Sequence, residues 1–441
     1  MQQLQLPLTV SEEQFHDLPY REQLRKLLES DLAFHGRNST YSTHGWHAFP
    51  AKFPPQLPRK FITELTQPGE IVLDPMMGSC TTLIEAISLE RKAIGCDIDP
   101  LSLQVGLAKL QSIDVSQAHI LGEQVVRNAQ QVLFSSRDTL QQELETRFDQ
   151  TTRKFIDYWF RPDTQLELLA LLRQIEHIKS EAVRNFLTLV FSAIIITKSG
   201  GVSLATDLAH TRPHKAKDKT PNSALLEFRK RLHSNLKNIN GQPNGESLLC
   251  EADIGKLPLK NNQVDLIVTS PPYANNAIDY MRAHKFSLVW LGYDITKLSS
   301  LRRQYVGGDA TANIQFLPLP EYCQQMIHAV GNLDKKRGLV LHRYYTEMTE
   351  ALAEMYRVLK PGKAAIVVVG TSTLCGLDTQ THTCLGEIGQ HFGFELVGIG
   401  MRQLDRDKRM LPARWNKQKN TQIEARMHEE YVIAFLKPED T

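Results

Sequence analysis

An apolar run, Val264-Asp-Leu-Ile-Val-Thr269, ends in Ser270-Pro271-Pro272-Tyr273. Two consecutive prolines fix the backbone and remove two N–H donors. The carbonyls beside them are left as free acceptors. The Ser270 hydroxyl adds another acceptor, and Tyr273 adds a flat aromatic face. Such a set suits an amino group on a planar ring: two acceptors take its protons, and one ring stacks against it. Accepting those protons would localise the nitrogen lone pair toward an electrophile. A Pro-Pro turn also ends strands with no chemistry attached, so what stands upstream decides the reading.

Upstream, Glu70-Ile-Val-Leu-Asp74 is a short apolar run ending in an acid. The small-residue loop Asp74-Pro75-Met-Met-Gly78-Ser79-Cys80-Thr81-Thr82 follows. In open α/β sheets, ligands bind beside such loops at the carboxyl ends of strands. Gly78 and Ser79 keep the approach open. A second apolar run, Lys92-Ala-Ile-Gly-Cys-Asp97, places an acid about 20 residues further on, the spacing of nucleoside-binding βαβ units. Asp97 is the expected ribose ligand, and Asp99 is the alternative. No Lys lies between Asp74 and Glu90, which excludes a P-loop, and the loop has a single glycine where a dinucleotide fold has three. A nucleoside-type cofactor without a phosphate chain fits better.

These features need a parallel α/β sheet to position them. The order strand, loop, helix, strand over 70–97 is its start. From about Gln104 to Asn240 the pattern turns helical. Leu166, Leu169, Leu172, Ile175 and Ile178 recur at three- and four-residue spacing. Phe186–Ile196 reads as a buried helix and Leu225–Leu236 as an amphipathic helix with a basic face. The sheet pattern resumes at Ser247. Tyr345–Leu359 reads as a helix that Lys360-Pro-Gly-Lys363 turns into the strand Ala364–Val369. Runs beginning at Phe394 and Tyr431 read as a late antiparallel pair at the sheet edge. The expected units are an N-terminal extension (1–40), an α/β domain (41–110 and 245–441), and a helical insertion (111–244).

The first loop together with Thr269-Ser-Pro-Pro-Tyr273 resembles the amino-group DNA methyltransferases, over roughly 45–110 and 245–370. The resemblance implies a Rossmann-like class I methyltransferase sheet, mostly parallel with an antiparallel edge. It implies that the first loop binds S-adenosylmethionine, through Asp74, Pro75, Gly78, Ser79 and Thr81, and that Ser270, Pro271, Pro272 and Tyr273 are catalytic. His47-Ala-Phe-Pro-Ala-Lys-Phe-Pro-Pro55 is similar to the family segment that closes over the methionine end, which nominates Phe49, Pro50, Ala51 and Lys52. Asp253 matches the position that contacts the cofactor's adenine ring. Ser at the first catalytic position is more typical of cytosine-N4 enzymes than of adenine-N6 enzymes. Cys80 departs from the family, standing where the last glycine of Gly-Ser-Gly is usual.

The implied reaction is direct methyl transfer to an exocyclic amino group, with N4 of cytosine first and N6 of adenine second. An RNA enzyme and an inactive DNA-binding scaffold are weaker readings. The expected partner is double-stranded DNA with a flipped base, and a cognate restriction endonuclease is a candidate. Lys and Arg total 51 against 49 acids, so clustering rather than net charge must mark a DNA surface. Candidate phosphate contacts are Arg212, Lys215, Lys217, Lys219 and Arg229–Arg231; Arg302 and Arg303; and Arg402, Arg406, Lys408, Arg409, Arg414, Lys417 and Lys419 with Trp415 interleaved. The six cysteines form no C-x-x-C pair, and no ligand set predicts a metal. His44, His47 and His284 read as hydrogen-bonded structural residues. No membrane span or signal core is found, so a cytoplasmic protein is expected.

Overall fold

The computed structural model describes residues 15–50, 52–197, 200–206, 208, 213–216, 218–237, 239, 241–274, 279–312, 314–370, 372–404 and 429–439. Helices α1 (Tyr20–Glu29) and α2 (Gln56–Leu65) precede β1 (Ile71–Asp74), α3 (Thr81–Ser88), β2 (Lys92–Asp97) and α4 (Pro100–Lys109). Then come α5 (Val115–Ser135), α6 (Arg137–Arg147), α7 (Gln150–Trp159), α8 (Pro162–Glu176), α9 (Glu181–Ile195) and α10 (Ala224–Lys237). The remainder is β3 (Ser247–Glu251), β4 (Val264–Thr269), α11 (Tyr280–Leu288), α12 (Ile295–Leu301), α13 (Glu321–Leu333), α14 (Lys335–Val358), β5 (Leu359–Gly370), α15 (Thr381–His391), β6 (Glu395–Gln403) and β7 (Glu429–Leu436).

The strands form one seven-stranded sheet in the order β6-β7-β5-β4-β1-β2-β3. Strands β3, β2, β1, β4 and β5 run parallel, and β7 runs antiparallel to both β5 and β6. This is an α/β, Rossmann-like methyltransferase sheet with an antiparallel edge. The chain leaves β1 toward β3, then returns to the other side of β1 as β4. The order therefore reverses between β1 and β4, where open α/β sheets bind ligands. The register Val72↔Leu266 and Leu73↔Ile267 sets the first loop beside the Ser-Pro-Pro-Tyr turn.

Side-chain alternation along the central strands explains the layers. Leu73, Ile267, Val367 and Val369 face α14 and α15 in one core. Val72, Leu266, Val268 and Ile366 face α1, α2 and α3 in another. Every residue of β4 is buried, as a parallel strand covered on both faces must be. A third core runs from Leu101 and Val105 of α4 through α5–α10 to Phe286 and Trp290.

The structure differs from the sequence expectation in three places. Helix α14 begins at Lys335 rather than Tyr345. Asp334 caps it by accepting from the Arg337 N–H at 3.1 Å, and a Cβ on Gly338 would lie 2.7 Å from Gly331 Cα. That close approach of α13 supports a polar first half whose pattern is too weak to read. Second, Lys360–Lys363 stays within β5, because the Gly362 N–H donates to the Lys437 carbonyl and the Lys437 N–H to the Lys363 carbonyl. Third, a two-residue ladder, Ala205–Thr206 with His214–Lys215, interrupts the helical block. No helix among the described residues is long and apolar enough to cross a membrane.

Candidate active site

A cleft opens at the carboxyl ends of β1, β2 and β4 and spans about 900 Å³ counted out to its open mouth. From the first loop, Asp74, Pro75, Gly78, Ser79 and Thr81 line it. Asp97, Asp99 and Asp253 line it from the neighbouring strand ends, and Phe49, Pro50 and Lys52 cover it. Ser270 and Pro272 reach it from the end of β4. Pro271 and Tyr273 adjoin these residues in the turn without lining the cleft, and Ala51 lies outside the described residues.

Asp74 is 3% exposed. Its Oδ1 accepts the Thr269 hydroxyl at 2.8 Å and the Met76 N–H at 3.2 Å. Burial pushes its carboxyl up to about 6, against bonds from Thr269, Thr82 and the Met76 N–H. The Thr82 hydroxyl donates to the Val268 carbonyl at 3.1 Å. Two threonines thus tie the first loop to the strand that carries Ser270.

Gly78 has φ +43°, and a Cβ there would press to 3.2 Å from the Phe49 ring. Its N–H donates to Asp97 Oδ2 at 2.9 Å, and the Asp99 N–H donates to Oδ1 at 2.9 Å. Burial, then the charge of Asp99, pushes the Asp97 carboxyl up to about 7. Asp99 is occupied otherwise. Its Oδ1 caps α4 by accepting the Leu101 N–H at 2.8 Å, and its Oδ2 lies 2.5 Å from His284 Nδ1. Burial alone would raise this carboxyl, but the His284 imidazole, the Leu101 N–H and the Tyr305 hydroxyl hold it below the usual range. Both acids line the cleft; Asp99 is tied to a helix cap and an imidazole, whereas Asp97 is bonded by the loop N–H groups and Ser102.

Among the described residues, neither Asp74 nor Asp97 forms an ion pair, and burial raises both carboxyls. Two carboxylates held this way call for donors or positive charge from a ligand. A nucleoside with ribose hydroxyls, an ammonium and a sulfonium answers that need, so the residues fit S-adenosylmethionine. Cys80 meets its departure from the family with strained backbone: it is fully buried at φ +65°.

Several residues here escaped sequence reasoning. Lys109 is 1% exposed, and its Nζ donates to the Ser79 carbonyl at 3.2 Å beneath the loop. Burial, then the charge of Lys52, drops its ammonium to about 7. A lysine in the last turn of a helix ordinarily reads as solvated, so no sequence signal marked it. Tyr280, Gln304, Tyr305 and Val306 also line the cleft. The buried Arg343 secures that last segment, donating to the Arg303 carbonyl at 2.7 Å, the Tyr305 carbonyl at 3.2 Å and the Ala310 carbonyl at 2.5 Å.

The proposed phosphate contacts divide. Arg402 is corrected: it is 6% exposed and pairs with Glu430 at 2.9 Å, because β6 turns it inward. Arg302 pairs with Asp279, Arg229 with Glu123 and Lys230 with Glu227. Lys219 donates to the Ala205 carbonyl at 2.8 Å, and Lys215 lies over the Tyr158 ring at 4.5 Å. Arg212, Lys217, Arg406, Lys408, Arg409, Arg414, Trp415, Lys417 and Lys419 lie outside the described residues. His44, His47 and His284 are hydrogen-bonded to Glu85, Ser192 and Asp99 respectively. The described cysteines form no disulfide.

Residues 16–106 match a family model described as DNA methylase of the N6/N4 type. The chain is 27% identical to Type II methyltransferase M.MvaI of Kocuria varians, over 81% of this chain and 83% of the relative. It is 22% identical to Type II methyltransferase M.BsoBI of Geobacillus stearothermophilus, over 83% and 82%. A shorter match, 41% identical over 14% of this chain and 21% of the relative, is to DNA adenine methyltransferase YhdJ of Escherichia coli.

Proposed function

The chain belongs to the amino-group, S-adenosylmethionine-dependent DNA methyltransferases, and we propose that within this family it methylates N4 of cytosine in double-stranded DNA. The observation that carries the proposal is the adjacency of β1 and β4. It sets Asp74 and the first loop directly beside Ser270 in one cleft.

S-adenosylmethionine supplies an electrophilic methyl group on its sulfonium. The chain's own residues supply binding and orientation. Asp97 would accept from the ribose hydroxyls, Asp253 would contact the adenine ring, and Asp74 with the first loop would hold the methionine end, with Phe49, Pro50 and Lys52 beside it. The Ser270 hydroxyl and the Pro271 carbonyl accept the two protons of the target amino group. That fixes the nitrogen lone pair on the line of transfer, and positioning of this kind supplies most of the rate. The Tyr273 ring stacks on a base that must leave the duplex to reach the turn. The nitrogen–methyl bond would form as the methyl–sulfur bond breaks, S-adenosylhomocysteine would leave, and one amino proton would pass to solvent, with no covalent enzyme intermediate required.

Ser270 at the head of the turn supports cytosine. The YhdJ match supports adenine N6 as the second reading, over a short stretch. The helical block at 111–244 is proposed to contact the target sequence, and the Type II names of the long matches support a partner endonuclease in the same cytoplasm. The deciding experiment is mass spectrometry of nucleosides from DNA incubated with the protein and methyl-labelled cofactor. The Ser270→Ala/Tyr273→Ala variant is the control. N4-methylcytosine that vanishes with the variant supports the proposal. N6-methyladenine replaces cytosine by adenine, and label in RNA alone sinks the DNA assignment.

A further inference from the structure

The helical block carries a side-chain cluster that methyl transfer leaves unused. His119 and Glu123 stand one turn apart on the same face of α5, and His233 meets them from α10. One ligand-type atom from each lies within 4.8 Å of the others. Gly122 is what lets them meet. A Cβ there would stand 2.5 Å from Leu232 Cδ2, so the glycine leaves room for Leu232, the residue before His233, to pack against α5. His233 Nε2 then sits 2.8 Å from Glu123 Oε1. The His119 and His233 rings stack with centroids 5.3 Å apart and 25° between their planes. Each imidazole offers a ring nitrogen as a metal ligand.

We propose that His119, Glu123 and His233 form a site for a divalent transition-metal ion of the zinc type, joining α5 to α10. Two imidazole nitrogens and one carboxylate select zinc, cobalt, nickel or copper over magnesium and calcium, which prefer all-oxygen shells. His119 and His233 line a surface groove with Val115, Leu236 and Lys237, so water would reach an ion held there. The carboxylate already attracts a cation: Arg229 Nε lies 2.9 Å from the same Glu123 oxygen, and the Arg229 side chain is 55% exposed while that of Glu123 is 11% exposed. An arriving ion displaces the guanidinium into water. Arg229 is therefore a competitor, and this separates a built site from casual binding by surface histidines.

The test is titration of the full, tag-free chain with Zn²⁺ by calorimetry and with Co²⁺ by visible absorbance, with Mg²⁺ alongside. One Zn²⁺ per chain, nitrogen-ligated Co²⁺ bands and no Mg²⁺ response are expected. His119→Ala and His233→Ala should each weaken Zn²⁺ binding by roughly tenfold or more. Arg229→Ala should tighten it several-fold, because a competing positive charge is gone. Circular dichroism and cofactor binding check that each variant folds. The proposal is overturned by an absence of binding at about 100 µM Zn²⁺, by binding that both histidine variants retain, or by unchanged or weaker binding in Arg229→Ala.

Discussion

The Tyr273 hydroxyl donates a 2.9 Å hydrogen bond to Oε1 of Glu430, 157 residues further along the chain on the edge strand β7. Glu430 in turn pairs with Arg402 of β6 at 2.9 Å. Burial, then the charge and hydrogen bond of Glu430, holds the phenol well above its ordinary pKa. The hydroxyl therefore stays protonated and donating, and the antiparallel edge hairpin braces the ring proposed to stack on the target base.

Removing either end of that brace should loosen the ring without touching the cofactor cleft. Tyr273→Phe and Glu430→Gln are each expected to lower kcat by about tenfold, with the dissociation constant for S-adenosylmethionine within twofold of wild type. The double variant should be little worse than either single one, since both remove one interaction. Single-turnover rates with equilibrium cofactor binding give the answer. Cofactor affinity falling in step with rate would refute the brace.

Asp97 makes cofactor binding depend on pH. Its carboxyl is pushed from 3.8 to about 7 by burial, so it must ionise before it accepts strongly from ribose hydroxyls. Affinity should rise with pH up to about 7 and level above it. Ligand-free stability should move the other way. The folded state holds protons that the unfolded chain has released, at Asp97 up to about 7 and at Asp74 up to about 6. Stability therefore falls as pH rises from near 4 through this window. Asp97→Asn should flatten the affinity profile and weaken binding by roughly 10-fold or more at neutral pH. Calorimetry across pH tests both; an Asn variant that keeps the wild-type profile excludes Asp97 as the titrating group.

His284 is fully buried against Asp99. His284→Ala leaves a buried carboxylate without its strongest partner and should destabilise the fold by about 3 kcal/mol. Adding Asp99→Asn should recover part of that loss, because an amide tolerates burial better than a charge. Urea unfolding of the two variants decides, and an undiminished midpoint in His284→Ala would show that the pair is energetically idle.

Cys80 tests how much strain the first loop stores. At φ +65° a non-glycine residue costs about 1–2 kcal/mol. Cys80→Gly removes that cost but also loses a buried side chain and adds unfolded-state entropy, so stability should change by less than about 1 kcal/mol. Cys80→Val places a β-branched side chain in the same conformation and should cost about 2 kcal/mol or more. Thermal denaturation compares them, and a stable Val variant would mean that the loop relaxes out of the left-handed region.

Local patterns carried much of this protein in the sequence alone. The apolar runs ending in Asp74, Asp97 and Thr269 became parallel strands, and the repeat from Leu166 to Ile175 became α8. These succeed because strand and helix periods are written in consecutive residues. The class of enzyme was legible for the same reason, since each of the two loops that carry the resemblance is a short continuous stretch. What the tertiary structure alone decided was non-local. It placed β4 rather than β3 against β1, so that Thr269 bonds Asp74. It tied Asp99 to His284 and Asp97 to the Gly78 N–H, and it turned Arg402 from a supposed phosphate contact into the buried partner of Glu430. It also sank Lys109 beneath the first loop and brought His233 to Glu123. Partner choice among charged groups depends on which distant elements pack together and how much water they exclude, and neither is encoded in spacing along the chain.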